Sequence, residues 1–233
     1  MLKAENIYIE LSGIEVLRNV NLEIEKGSLY GLVGRNGAGK TTTFKTIVGF
    51  LKPKRGRVVI DGRDITGLSV DKRVLNGIGY VPEDMRIFPW LTARENIDIS
   101  ITISGNLDKS DDIYDMIYTI FPEVKRFLDR KGYYLSGGEK KMIAIARALA
   151  LKPRYMLVDE AFEGLAPIVV DRFRKAISEI KDLGIGIVIA ESNIKLTTRI
   201  VEHLYVIERG EIIYDGDPNN IYKDKKVMSI ISG

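Results

Sequence analysis

Gly34-Arg35-Asn36-Gly37-Ala38-Gly39-Lys40-Thr41 has the spacing G-x-x-x-x-G-K-[ST], the pattern of a loop that cradles phosphates. The glycines let the backbone curl until successive N–H groups point inward at phosphate oxygens. Lys40 supplies a point charge for β- and γ-phosphates. Thr41, followed by Thr42, offers a hydroxyl to Mg²⁺. A helix read from Thr41 to Phe50 aims its N-terminus at the same anion. Tyr155-Met156-Leu157-Val158-Asp159-Glu160 is an apolar run ending in two carboxylates, and ligands gather at the carboxyl ends of such strands. Asp159 can hold Mg²⁺ through water, and Glu160 can orient or deprotonate an attacking water. Alone, two such acids read equally well as solvated caps; beside a phosphate loop, hydrolysis is the better reading. Leu135-Ser136-Gly137-Gly138-Glu139 opens a helix, Lys140 to Leu149. A hydroxyl and two glycines there make either a second anion site or an ordinary Ser-x-x-Glu cap, and spacing does not choose between them.

These groups need a scaffold. Ile7–Leu11 and Glu15–Ile24 read as strands, the latter alternating apolar and polar residues from Val20 on. Glu25-Lys26-Gly27 turns the chain into Leu29–Val33, a buried strand that ends at the glycine loop. Val58–Gly62 is another strand and turn. From about 85 to 150 the texture is helical: Ile113, Met116, Ile117 and Ile120 share one helix face. Ser110 is expected to cap that helix, with Asp111 and Asp112 in its first turn. Thr92 to Glu95 has capping-box spacing. Tyr155–Val158 and Ile185–Ala190 are continuously apolar, as parallel strands covered on both faces are. An amphipathic helix over 168–183 joins them in a βαβ crossover, and Glu208-Arg209-Gly210-Glu211 turns a hairpin. The expected fold is α/β, a core interrupted by a helical insert.

Composition narrows the chemistry. The 233 residues carry a net charge of +3, too little to argue nucleic-acid binding. There is no cysteine, hence no disulfide and no thiolate metal site. His203 is the only histidine, so no site can use two imidazoles. No apolar run is long enough to span a membrane, and the first residues lack the apolar stretch of a secretion signal. The expectation is a soluble, intracellular protein.

Taken together, these residues resemble the ATP-binding subunits of ABC transporters, across essentially the whole chain. Gly34–Thr41 looks like Walker A, Tyr155–Glu160 like Walker B, and Leu135–Glu139 like the family signature in unmodified form. The resemblance implies a P-loop NTPase core with an antiparallel β subdomain (1–84 and 151–233) and an inserted helical subdomain (85–150). It implies ATP and Mg²⁺ as ligands. Gly34, Arg35, Asn36, Gly37, Ala38, Gly39, Lys40, Thr41 and Thr42 would then hold one nucleotide, with Thr41, Glu83 and Asp159 at the metal, and Lys40 and Glu160 in catalysis. Ser136, Gly137, Gly138 and Glu139 would face the nucleotide of a second ATPase subunit in a head-to-tail homo- or heterodimer. Transmembrane permease subunits would hold the pair at the inner face of the cell membrane, docking near Phe88, Pro89 and Trp90. Ile14–Leu17, Gly37–Thr43, Ile87-Phe88-Pro89, Leu91-Thr92, Glu95-Asn96 and Glu163-Gly164-Leu165-Ala166-Pro167 look most like branched-chain amino-acid importers.

Four residues depart from the family pattern. Leu11 stands where an aromatic usually stacks on adenine, Glu83 where a glutamine ends Gly79-Tyr80-Val81-Pro82-x, Ala161 where a proline follows Walker B, and Ser192 where a switch histidine falls. His203 lies before the next strand and is expected at the surface. The importer branch accommodates Glu83 and Ser192 but not Leu11 or Ala161. Two other readings stay open: a soluble ABC ATPase outside transport, and a nucleotide-binding subunit with little hydrolysis of its own. Because Leu11, Glu83 and Ser192 all belong to the Walker side, this chain's own site is expected to be slower than its partner's. Base stacking on an aromatic is worth ~1–3 kcal/mol, so with Leu11 in that place GTP should compete with ATP nearly on equal terms. A competition assay showing strong adenine preference overturns that expectation.

Overall fold

Apolar residues at every second position, Val20, Leu22 and Ile24, put one face of the second strand into the core. That is the period of a half-exposed antiparallel sheet. In the computed structural model, which describes residues 1–165 and 167–232, this strand is β2 (Ile14–Ile24). It pairs antiparallel with β1 (Leu2–Leu11), and β1 pairs with β4 (Arg55–Ile60), which carries the short β5 (Arg63–Asp64). Ala166, within the stretch likened above to one transporter branch, lies outside the described residues.

The second sheet has the order β10-β9-β3-β8-β7-β6. Its members are β3 (Leu29–Val33), β6 (Ile78–Val81), β7 (Tyr155–Asp159), β8 (Gly186–Glu191), β9 (His203–Glu208) and β10 (Glu211–Gly216). All pairs from β9 to β6 are parallel; β10 closes the edge as an antiparallel hairpin. Every residue of β3, β7 and β8 is buried, which explains their unbroken apolar sequence. Alternate side chains serve two cores. Leu32, Leu157 and Val188 pack with the first sheet and α1 (Lys40–Val48). Val33, Met156 and Ile187 pack with α3 (Ala93–Ser104), α4 (Ser110–Ile120), α5 (Gly137–Ala150) and α6 (Pro167–Asp182). The helical stretch therefore shares one core with the sheet. The remaining helices are α2 (Val70–Leu75), α7 (Ile194–Thr197) and α8 (Lys225–Ser232).

Helix ends follow their chemistry. Thr92 accepts from the Glu95 amide while the Glu95 carboxylate accepts from the Thr92 amide, a complete capping box. Ser110 does not cap α4. A 3₁₀ turn, Leu107–Lys109, runs straight into the helix, so Ser110 already has helical dihedrals and Lys109 is the N-cap. Ile113, Ile117 and Ile120 are buried as the periodicity requires, with Met116 packed beside them. His203 is not a plain surface residue. It opens β9, its Nε2 lies 2.6 Å from Asp215 Oδ1, and its ring packs on Tyr30 and Tyr205. Strand β6 has little strand signal of its own, because Gly79 interrupts four residues; there a Cβ would press on Pro153 at 3.1 Å.

The phosphate-loop helix α1 is anchored at its far end. Gly49 terminates it with φ 99°. Arg73, 1% exposed, fills the space beside that glycine. It donates to Thr46 O and Ile47 O, both at 2.8 Å, and to Thr66 O and Leu68 O. A guanidinium on the last carbonyls of a helix satisfies orphan acceptors and complements the helix dipole. Arg73→Met leaves those buried carbonyls without a donor and should lower folding stability by about 2–4 kcal/mol. Urea unfolding checks it, and a loss below about 1 kcal/mol contradicts the anchoring role.

Candidate nucleotide-binding site

Parallel pairing aligns the strand ends. Val33 is in register with Glu191, Asp159 with Ala190, and Val81 with Val158. The loops after β3, β6, β7 and β8 therefore open at one edge, and the sequence-predicted residues lie in those loops. A pocket of about 230 Å³ is lined by residues of the 36–42 loop on one side and by Glu83, Glu160 and Glu163 on the other. Two glycines are required to build it. A Cβ at Gly34 would sit 2.3 Å from Ile207 O, and Gly39 has φ 116° with Leu17 Cδ2 at 2.8 Å from such a Cβ.

Lys40 is 5% exposed and folds back over the loop. Its Nζ donates to Gly34 O at 2.8 Å and to Ser192 Oγ at 3.0 Å, and lies 3.2 Å from Glu160 Oε1. Ser192 Oγ is 3.0 Å from Glu160 Oε1 and 2.8 Å from Asn36 Oδ1. The position where an imidazole was expected thus holds a hydroxyl that touches Walker A at Asn36 and Lys40 and Walker B at Glu160. Arg35 contributes its carbonyl oxygen, 3.4 Å from the same ammonium. Phosphate oxygens can take over the acceptor role of these carbonyls and of Glu160, because each is an acceptor of Lys40.

Asp159 is fully buried at the end of β7. Tyr80 donates to its Oδ2 at 3.4 Å, while Oδ1 has no hydrogen-bond partner among the described residues. Burial raises its pKa, and the Thr41 hydroxyl pulls the other way. A buried carboxylate with one oxygen unpartnered among the described residues, and a threonine hydroxyl near enough to lower its pKa, fits a hard divalent cation. Among the described residues, no group of three or more His, Cys, Asp or Glu side chains forms a ready metal cage.

Ser136, Gly137, Gly138 and Glu139 are not part of this pocket. They open α5, where Ser136 Oγ accepts from the Glu139 amide at 3.3 Å and Glu139 Oε2 accepts from the Ser136 amide at 2.7 Å. The cap reading is realised within the chain. The first-turn N–H groups of Gly137 and Gly138 still have no intrahelical acceptor, so the cap does not consume the anion-binding donors. Arg130 holds the other Glu139 oxygen at 3.0 Å. Leu11 stands 41% exposed at the β1–β2 tip, paired with the still more exposed Ile14. Ala161 is buried.

Two residues escaped the sequence reading. Lys141, 4% exposed on α5, donates its ammonium to Glu160 O. Glu191, 2% exposed at the end of β8, accepts from the Phe162 amide at 2.8 Å. The available signal for Lys141 was its place on the same helix face as Ala144, Ile145 and Ala148, all buried. Glu191 lay at the end of an apolar strand, where the rule applied to Asp159 also holds.

These features define a nucleotide-binding cassette of the phosphate-loop class. Residues 17–163 match the family model of the ABC transporters, and the chain belongs to that family. It is 35% identical to the lipopolysaccharide export system ATP-binding protein LptB of Haemophilus influenzae and 34% identical to that of Escherichia coli K12. Each match covers all of this chain and 97% of the relative. Among solved structures, the ADP conformation of MJ1267, an ATP-binding cassette of an ABC transporter, superposes with a TM-score of 0.85 at 29% identity, covering all of this chain and 98% of that one. The dimeric post-hydrolysis cassette MJ0796 bound to ADP and Pi gives 0.80 at 26%, covering 94% and 99%. The chain is an ATPase subunit of a transporter. The importer branch expected from motif wording is not the one these relatives carry, since both are lipopolysaccharide-export proteins.

Burial, reinforced by the Glu160 charge and opposed by the Phe162 amide, pushes the Glu191 carboxyl from its ordinary 4.5 up to about 7. The folded state therefore binds this proton more tightly than the unfolded chain. The stabilisation is complete below about pH 4.5 and fades as pH rises through 7. Glu191→Gln keeps the acceptor for Phe162 and removes the titration. Relative to wild type, its stability should climb between pH 5 and 8 by up to about 3 kcal/mol. Parallel unfolding curves for the two proteins across that range contradict this.

Proposed function

We propose that the chain is the ATP-hydrolysing half-engine of a membrane transporter, acting as a peripheral subunit on the inner face of the membrane. Lys40 neutralises the β- and γ-phosphates, the 34–42 loop wraps them, and Thr41, Asp159 and Glu83 gather Mg²⁺. Glu160 orients the attacking water. Ser136 to Glu139 complete the site of a second ATPase subunit. Permease subunits dock near Phe88 and Trp90, both exposed, with Trp90 stacked on Tyr133. The division into an α/β core (1–84 and 151–233) and a helical subdomain (85–150) is part of this reading. One observation carries it: the Lys40 ammonium, the Glu160 carboxylate and Ser192 Oγ meet within 3.2 Å of one another.

The transported solute has two candidates. Motif wording favours branched-chain amino-acid import, and Ile87-Phe88-Pro89 and Glu163-Gly164-Leu165 supply that wording. Full-length likeness to two LptB proteins favours export of a lipid-linked glycan. We place import first, because that branch also accommodates Glu83 and Ser192, which depart from the family pattern at the nucleotide site. A strain without the chain should lose uptake of labelled leucine, isoleucine and valine. Intact uptake with lipid-glycan retained in the inner membrane favours export.

Hydrolysis has its own test. Glu160→Gln should keep ATP binding and lose about 100-fold or more of turnover, the share of a general base. Lys40→Ala should lose both. Wild-type turnover in Glu160→Gln removes Glu160 from the mechanism.

A further inference from the structure

Glu160 has an unusual backbone for its residue type. Its φ is 46°, a left-handed conformation that costs a non-glycine residue about 1 kcal/mol or more. Such a conformation persists only where the surroundings over-determine it. Three contacts do so. The Glu160 amide donates to Ala190 O at 3.0 Å. The Phe162 amide, two residues on, donates to the Glu191 carboxylate at 2.8 Å. The Glu160 carbonyl oxygen accepts from the Lys141 ammonium. The first two belong to β8, the neighbouring strand. The third comes from α5, in the helical stretch.

Among the described residues, Lys141 has no other hydrogen-bond or ion-pair partner. It is 4% exposed, and burial lowers its pKa against the pull of Glu191, Glu160, Glu163 and Glu83. A lysine there is costly compared with an apolar residue of similar length, so packing does not account for it. Its place on the helix does. Gly137 and Gly138 lie four and three residues earlier, on the same face of α5. One ammonium therefore joins the turn that carries the signature glycines to the peptide that carries Glu160.

We propose that Lys141 is a positioning residue: it fixes the peptide of Glu160, and through it the placement of α5 sets the aim of the Glu160 carboxylate. This rests on the reading of Glu160 as the residue that orients water. When α5 shifts, the ammonium shifts with it. The Glu160 peptide then rotates, and the carboxylate swings at the end of a lever of three side-chain bonds. The half-site offered to a partner and the water-orienting group of this chain's own site thus move as one piece. Lys141 touches neither phosphate nor water in this role, so it should govern turnover and leave nucleotide binding alone.

The test uses the full chain and steady-state ATP hydrolysis. Lys141→Met keeps the length and removes the donor; kcat should fall by about 10- to 100-fold, the scale of a small misplacement of a catalytic group, with KM within about 2-fold of wild type. Lys141→Gln restores an N–H donor and should recover most of the loss. In a Glu160→Gln background, Lys141→Met should lower the residual turnover no further, since both act through one carboxylate. If the Met variant does not fold, Lys141→Leu, which also removes the donor and fills the space with apolar atoms, is read in the same way. The proposal is overturned by wild-type kcat in Lys141→Met, by equal losses for the Met and Gln variants, by KM rising in step with the fall in kcat, or by an additive loss in the double variant. Glu160→Gln with undiminished turnover overturns the reading of Glu160 itself. Full loss in Glu160→Gln beside an unaffected Lys141→Met overturns the positioning role alone.

Discussion

A lysine ammonium held at 5% exposure cannot stand without acceptors, and the residues around Lys40 are arranged by that need. The Gly34 and Arg35 carbonyls, Ser192 Oγ and Glu160 each take a share. These groups come from the ends of β3, β7 and β8, so they meet only because parallel register aligns those ends. Parallel strands in turn require helices on their faces and near-continuous apolar sequence. The burial of one cation and the layering of the whole molecule are thus linked steps of one argument.

The same need reaches along α1. Its N-terminus presents amides and partial positive charge to the pocket, and its C-terminus leaves carbonyls that Arg73 satisfies from α2. Gly49 allows the guanidinium to approach, since a Cβ there would lie 2.9 Å from Arg73 Nε. The helix is thereby fixed at both ends: by the glycine loop that lines the pocket and by a cation that closes its dipole. A phosphate loop on a loose helix would lose the fixed geometry that makes its amides worth more than water.

Much of this was legible from residue types. The glycine loop, the two carboxylates after an apolar strand and the Ser-Gly-Gly-Glu turn are local patterns whose chemistry survives in any fold that exposes them. The parallel strands were legible because burial on both faces leaves no polar residue to confuse the period. Legibility failed where a neighbour made the decision. Strand β6 forms because β7 offers it a ladder, not because Ile78-Gly79-Tyr80-Val81 favours extension. Ser110 has the chemistry of a cap, but a preceding 3₁₀ turn had already begun the helix. Lys141 and Glu191 are charged residues at the edges of apolar runs. Their partners, Glu160 O and the Phe162 amide, are 19 and 29 residues away, and backbone groups leave no mark in a sequence.

Charge at the pocket sets the last constraint. Glu83, Glu160 and Glu163 line it or its rim, with Asp159 and Glu191 buried behind, against the ammoniums of Lys40 and Lys141. Serine at 192 adds no positive charge where an imidazole could. Its single proton can be donated to Asn36 Oδ1 or to Glu160 Oε1, but not to both at once. A triphosphate entering this site meets more negative charge than positive, and the loop amides and α1 dipole offset only part of it. Burial pushes the Glu191 carboxyl up to about 7, which leaves it only partly ionised near neutrality and weakens one repulsion; a divalent cation, where one binds at Asp159, would weaken another. Glu83 and Ser192 therefore leave this pocket more negative than glutamine and histidine in those places would.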